Sequence, residues 1–249
     1  MHRIYFPIDR DSDVVELTGE AHHYLSRVVR LAPGDRVALF DESGWERLGR
    51  IESVDRKTAQ IRIEEKRPNR CEPGRAVWLV QGFPKGSKWF EIIRAATALG
   101  ASGFIPFVAK RSVGGRGGKT RAWHDRCAKV VLEASRQCGR ARVPEVTEPA
   151  SSLSEALERF SASRLLGVCF WEEATEPLAD VLDRENFSSR RDEPLVVVIG
   201  PEGGLTREEA EEASRRGLAL CSLGPRILRT ELAPIAALSI LQYRLGEME

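Results

Sequence analysis

Up to about residue 65, short apolar stretches alternate with polar positions; beyond it the apolar runs lengthen and alternate with segments of helical period. In the first part, residues 3–6, 14–17, 36–40, 49–54 and 58–63 carry the two-residue period of half-buried strands. Pro33-Gly34-Asp35 and Asp41-Glu42-Ser43-Gly44 supply turns between them. The pattern predicts a small antiparallel barrel. One helix interrupts it over residues 20–30, where Ala21, Tyr24-Leu25 and Val28-Val29 recur at helical spacing and Arg27 and Arg30 share a face. The stretch 66–74 has two prolines and no periodicity, and reads as a linker between a domain of residues 1–71 and one of residues 75–249.

In the second part, strands are expected at 76–81, 103–108, 164–170, 195–199 and 218–223. Helices are expected at 87–99, 123–137, 153–160 and 233–244, with another opening at Thr206-Arg207-Glu208-Glu209, a capping box. Strands alternating with helices of this length predict an α/β domain with a mainly parallel sheet.

Two of these strands end in glycine-bearing loops. The run Leu195-Val196-Val197-Val198-Ile199 leads into Gly200-Pro201-Glu202-Gly203-Gly204, and a later run leads into Leu223-Gly224-Pro225-Arg226-Ile227-Leu228-Arg229. Loops at the carboxyl ends of buried strands form the crevice where α/β proteins hold small ligands. The first loop lacks the dinucleotide-binding G-x-G-x-x-G spacing. Glu202 can face a cationic ligand or accept a proton. Ile227 and Leu228 can wall a flat ring, and Arg226 and Arg229 can reach anions. Read blandly, the first loop is a tight strand-to-helix turn and the second anchors the last helix.

Composition narrows the class. The 249 residues carry a formal net charge of only +1, yet Lys110, Arg111, Arg116, Lys119 and Arg121 follow one another with no acid between them, and Arg136, Arg140 and Arg142 come soon after. A glycine-rich basic loop suits RNA, although charge runs are often solvated faces. Five cysteines without C-x-x-C spacing suggest a reducing cytosol and no metal site. His22 and His23 are adjacent, so their side chains diverge on a helix. With no leader and no apolar run near ~20 residues, a cytoplasmic protein away from membranes is expected. Gly114-Gly115-Arg116-Gly117-Gly118-Lys119-Thr120 approaches a phosphate-binding P-loop, but Val113 stands where that motif needs its first glycine. A basic loop touching a phosphate backbone is the better expectation.

Taken together, Gly200-Pro201-Glu202-Gly203-Gly204-Leu205 and Leu223-Gly224-Pro225-Arg226-Ile227-Leu228-Arg229-Thr230-Glu231 closely resemble the paired signature of the RsmE family. These are small-subunit (16S) ribosomal RNA uridine-N3 methyltransferases of the trefoil-knotted SPOUT superfamily. Arg3-Ile4-Tyr5, Arg27-Val28-Val29-Arg30 and Gly34-Asp35 look like the family's PUA-like N-terminal barrel. Gln137-Cys138-Gly139-Arg140 with Val143-Pro144-Glu145 looks like its central motif, and Arg111-Ser112 like the basic turn before it.

The resemblance implies an α/β fold with a C-terminal knotted, mainly parallel sheet after a PUA-like β-barrel, and a homodimer acting on ribosomal RNA or the small ribosomal subunit. It implies S-adenosylmethionine bound among Phe170, Trp171, Gly200, Pro201, Glu202, Gly203, Gly204, Leu218, Leu223, Gly224, Ile227 and Leu228. The knot itself is beyond pattern reasoning, because ordinary topology rules exclude chain threading. In the chemistry so implied, Arg229 stabilises charge on the uracil carbonyls and Glu231, in preference to Glu202, takes the N3 proton. Arg3, Arg27, Arg30, Arg111 and Arg140 hold the RNA.

Two positions depart from the family pattern. Ala98-Leu99-Gly100 replaces Glu-Leu-Gly, and Glu231-Leu232-Ala233-Pro234 replaces Glu-Thr-Ala, with Pro234 expected to start the last helix later than in relatives. The rival readings are a non-catalytic RNA-binding protein with a degenerate knot and a P-loop-like nucleotide binder.

Overall fold

The computed structural model describes residues 1–8, 12–112, 120–185, 187 and 192–248. The glycine-rich segment 114–119, and with it the P-loop comparison, lies outside these residues. The chain divides into two compact units, Met1–Glu72 with Leu132–Val143, and Pro73–Val131 with Pro144–Glu249.

The first unit is built on a five-stranded sheet of β1 (His2–Tyr5), β2 (Val14–Leu17), β3 (Arg36–Phe40), β4 (Trp45–Val54) and β5 (Ala59–Pro68), in the order β1-β3-β4-β5-β2. Every pairing is antiparallel except β1 with β3. Alternation reveals a strand but not its direction, and the long excursion through β2 and the helix supplies the connection a parallel pair needs. Ile4, Leu17, Leu25, Val37, Leu39, Ile51 and Ile61 form the core. The β4–β5 ladder slips at Leu48/Gly49, where a side chain on Gly49 would meet the Arg62 carbonyl at 2.7 Å. The expected helix is α1 (Gly19–His23) continued by a wider π-type turn over Tyr24–Val28, and Arg30 leaves it with φ +56°.

The second unit holds a sheet of β6 (Val77–Gly82), β7 (Gly103–Phe107), β8 (Glu145–Val146), β9 (Leu166–Phe170), β10 (Leu195–Ile199) and β11 (Ala219–Cys221), ordered β11-β9-β10-β6-β7-β8 and parallel throughout. Its helices are α2 (Lys88–Ala98), α3 (Arg121–Cys138), α4 (Leu153–Glu158), α5 (Leu178–Glu185), α6 (Arg207–Arg215) and α7 (Ala233–Arg244); the division between units falls inside α3. All five residues of β10 are buried, which explains why that run shows no alternation. β8 and α5 went unpredicted, β8 because two residues carry no period. In α5, Leu178, Val181 and Leu182 do recur at helical spacing.

The last helix takes Pro234 into its first turn. It starts at Ala233, because Pro234 sits in the first turn, where its missing N–H has no partner to lose. The registers Ile199↔Phe170 and Cys221↔Phe170 bring the carboxyl ends of β9, β10 and β11 level with one another.

Candidate functional site

The loops leaving those three strand ends enclose a cavity of about 1030 Å³. Phe170, Trp171, Glu172 and Ala174 line it after β9, Gly200, Pro201, Glu202 and Gly204 after β10, and residues 222–230 after β11. Leu178, Ile199, Leu223 and Leu228 make much of the wall apolar. The loops are tied together by main-chain bonds, Trp171 N–H to the Cys221 carbonyl at 3.0 Å and Ser222 N–H to the Glu176 carbonyl at 3.1 Å.

Glycine is required where these segments approach one another. Gly204 has φ +71°, and a Cβ there would run into the Glu172 carboxylate. Gly82, at the end of β6, lies so near Pro201 that a Cβ would sit 2.5 Å from its ring. Gly224 has φ +93° but nothing near its missing side chain. Behind the first loop, the fully buried Gln81 donates through Nε2 to the Gly200 carbonyl at 3.0 Å and lies 3.3 Å from Thr230 Oγ1. Thr230 in turn donates to the same Gly200 carbonyl at 3.2 Å. The two glycine-bearing loops thus hang on one polar cluster.

At the cavity, Lys88 joins two acids. Its Nζ lies 3.2 Å from Glu202 Oε1 and 3.0 Å from Glu231 Oε2. The backbone N–H of Lys85 also donates to Glu202, at 3.1 Å. Burial pulls the Glu202 carboxyl upward, but backbone N–H groups and the Lys88 ammonium leave it below the ordinary carboxylate range. Glu231 is held down chiefly by Lys88 and also by Arg229, while the two carboxylates raise Lys88. Lys88 is the site residue that sequence reasoning missed. It is a lone lysine at a helix start, and its partners lie more than a hundred positions away.

The basic turn joins the same loop from another side. Glu209, buried in α6, accepts the N–H of Lys110 at 2.9 Å while closing the capping box with Thr206. Arg111 then reaches the Gly203 carbonyl at 3.5 Å, and a Cβ on Gly203 would meet the Arg111 carbonyl at 2.7 Å.

Of the residues expected to bind cofactor, Phe170, Trp171, Gly200, Pro201, Glu202, Gly204, Leu223, Gly224, Ile227 and Leu228 line the cavity. Gly203 faces Arg111 instead, and Leu218 is packed in the core under α6. Arg229 lines the cavity and Glu231 meets it through Lys88. Arg27, Arg30 and Arg111 are exposed. Arg3 and Arg140 are not: Arg3 is paired with Glu46, and Arg140, 3 % exposed, lies 3.1 Å from Glu72. Arg3 also donates to the Arg140 carbonyl at 2.9 Å, so both serve the interior of the first unit. His22 is buried against the Asp55 carbonyl, away from His23, which is exposed. Among the described residues no His, Cys, Asp and Glu side chains gather as a metal would need, and no helix is long and apolar enough to cross a membrane.

The family model described as RNA methyltransferase domain matches residues 71–242, and that described as RNA methyltransferase PUA domain matches residues 17–64. The ribosomal RNA small subunit methyltransferase E of Bacillus subtilis is 34% identical, over 94% of this chain and 91% of its own length. The chain belongs to the RsmE family. Its counterpart in Synechocystis is 32% identical, over 90% of this chain and 71% of its own. A crystal structure of the Neisseria gonorrhoeae member bound to S-adenosyl methionine superposes with a TM-score of 0.85 at 26% identity, covering 98% of this chain and 97% of that one. The fold is accordingly a PUA-like N-terminal unit with an α/β RNA methyltransferase domain, and the cavity lies at the carboxyl ends of β9, β10 and β11 within the latter.

Proposed function

We propose that this protein transfers a methyl group from S-adenosylmethionine to N3 of a uridine in small-subunit ribosomal RNA, in the cytoplasm. The observation that carries the reading is the cavity at the ends of β9, β10 and β11, walled by both glycine-bearing loops and by Phe170 and Trp171. The donor fits what is there. A cavity of about 1030 Å³ is of the size that holds such a molecule, its apolar walls suit a flat ring, and Trp171 Nε1 is buried with no partner among the described residues. When bound, the donor supplies an electrophilic methyl group.

The residues of the chain then have three tasks. The backbone of Gly200, Pro201 and Gly204, with Phe170, Leu223 and Leu228, holds the donor, since fixing two reactants in attack geometry supplies several kcal/mol. Arg229, exposed at the rim, stabilises negative charge on the uracil carbonyls as the imide ionises. Glu231, kept ionised by Lys88, accepts the N3 proton and passes it to water, while N3 keeps the electron pair that forms the new bond to carbon. A carboxylate held below its ordinary range is ionised and free to accept the proton, and the charge on Arg229 assists its departure. An unpaired or flipped uridine is needed for access.

Within this reading residues 1–71 grip RNA and residues 75–249 hold the donor. Arg27, Arg30 and Arg111 contact phosphates, and Arg3 and Arg140 shape the surface from beneath. The protein works as a homodimer. In support, Ile227 is 90% exposed, and Leu232, Ile240 and Tyr243 are also exposed on or near α7.

The test is a comparison of small-subunit ribosomal RNA from cells with and without this protein, by nucleoside mass spectrometry. One 3-methyluridine should vanish in its absence; an unchanged set of modified uridines refutes the reading.

A further inference from the structure

We propose that Lys88 is a positioning residue for the transfer, holding Glu202 and Glu231 in one fixed, ionised arrangement across the cavity. The proposal deepens the functional reading above and rests on it.

The geometry is specific. Lys88 is the first residue of α2 and lines the cavity. Its ammonium meets Glu202, in the loop after β10, and Glu231, in the segment between β11 and α7. Both loops wall the cavity, so one cation joins them. An exposed ion pair between two side chains contributes little by itself. Here one ammonium serves two carboxylates on separate loops, and oxygens sharing one nitrogen fall within the ~4–6 Å over which like charges oppose each other's ionisation. Arg229 is the other charge acting on Glu231, and Glu172 and Arg226 complete the charged lining. The Lys85 N–H steadies Glu202 but carries no charge.

Removing the cation therefore leaves two mutually repelling carboxylates. At least one then protonates at higher pH than in the parent protein, and the loops lose their link. The sign follows. Carboxylates that Lys88 holds low stay ionised as pH falls, whereas those of a variant without the charge protonate, so the ratio of variant to parent rate must fall with pH. Ionisation of the uracil N3 enters both rates and cancels.

Single-turnover methylation of small-subunit RNA at saturating donor, from about pH 8 down to about pH 5, would be measured for the parent, Lys88→Met, Lys88→Gln and Lys88→Arg. The ratios for Lys88→Met and Lys88→Gln should drop roughly tenfold more at the acid end than at the alkaline end, with Lys88→Arg close to level. Carboxyl NMR of protein carrying ¹³C-glutamate reads the same groups without turnover. At least one of the two resonances should titrate at higher pH in the uncharged variants and return in Lys88→Arg. Lys88→Gln keeps the length and a donor, so it reports if Lys88→Met fails to fold. Level ratios overturn the proposal, and so does an unmoved carboxyl titration. If the parent protein puts no methyl on uridine N3, the functional reading has failed instead, and the NMR comparison still decides whether Lys88 clamps the two acids.

Discussion

Glu209 and Lys110 are joined by a 2.9 Å hydrogen bond from the Lys110 N–H to Glu209 Oε1. The other oxygen of the same carboxylate accepts the Thr206 N–H at 2.9 Å. One side chain therefore caps α6 and fastens the basic turn whose Arg111 abuts Gly203.

Glu209→Ala should orphan both N–H groups and destabilise the second unit by about 2 kcal/mol or more. Thr206→Ala, which removes only the cap, should cost about 1 kcal/mol. Urea unfolding of the two variants checks the order; equal losses would mean the bond to Lys110 adds nothing.

Gly204→Ala and Gly224→Ala should separate crowding from strain. Both positions have positive φ, but only at Gly204 would the new carbon run into Glu172 at the cavity wall. Calorimetry with S-adenosylmethionine should find binding weakened severalfold in Gly204→Ala, because the Glu172 carboxylate must move along the cavity wall to admit the new carbon. In Gly224→Ala the loss should be smaller, because nothing lies near the new carbon and the left-handed strain, about 1 kcal/mol of stability, is present with and without donor. Equal affinities would place the donor elsewhere.

Much of this was legible along the chain, and the exceptions share a cause. Strands 14–17, 36–40 and 195–199 and helix 233–244 coincide with their expected bounds, because period and turn residues are local. The glycine loops were equally local signals, and most of their residues line the cavity. What escaped depends on partners distant in sequence. Lys88 meets acids at 202 and 231, and the parallel β1–β3 pair spans β2 and α1. Arg3 and Arg140 read as free cations only because Glu46 and Glu72, which bury their charge, lie far from them.

Arg140 and Arg27 should accordingly fail in different ways. Arg140→Ala leaves the Glu72 carboxylate, which also accepts the N–H groups of Ala141 and Arg142, without its buried cation. Stability should fall by about 3 kcal/mol. Arg27→Ala, at an exposed position, should leave the melting temperature unchanged and reduce the salt dependence of RNA binding by about one phosphate contact. Thermal melts and salt-titrated binding distinguish them; a stable Arg140→Ala that binds RNA weakly would restore its role as a direct contact.

The first unit should lose stability in acid through Glu46. Burial raises its carboxyl, but Arg3 and Arg67 bring it below the ordinary range. A depressed native pKa contributes stability that is present above the unfolded value, near pH 4 to 5, and lost as pH falls through the native one. The stability difference between the parent and Glu46→Gln should therefore shrink below about pH 4. A difference that stays constant from neutral pH to about pH 3 would show that this ionisation is not coupled to folding.

Methyl transfer is read directly by incubating the purified protein with S-adenosylmethionine labelled in its methyl group and small-subunit RNA or particles from cells lacking the protein, then locating the label. Label should appear on N3 of a single uridine, as the proposed function requires, and more slowly at limiting donor when Gly204→Ala replaces the parent protein. Label on another base, on another atom of uracil, or on no RNA at all would contradict it.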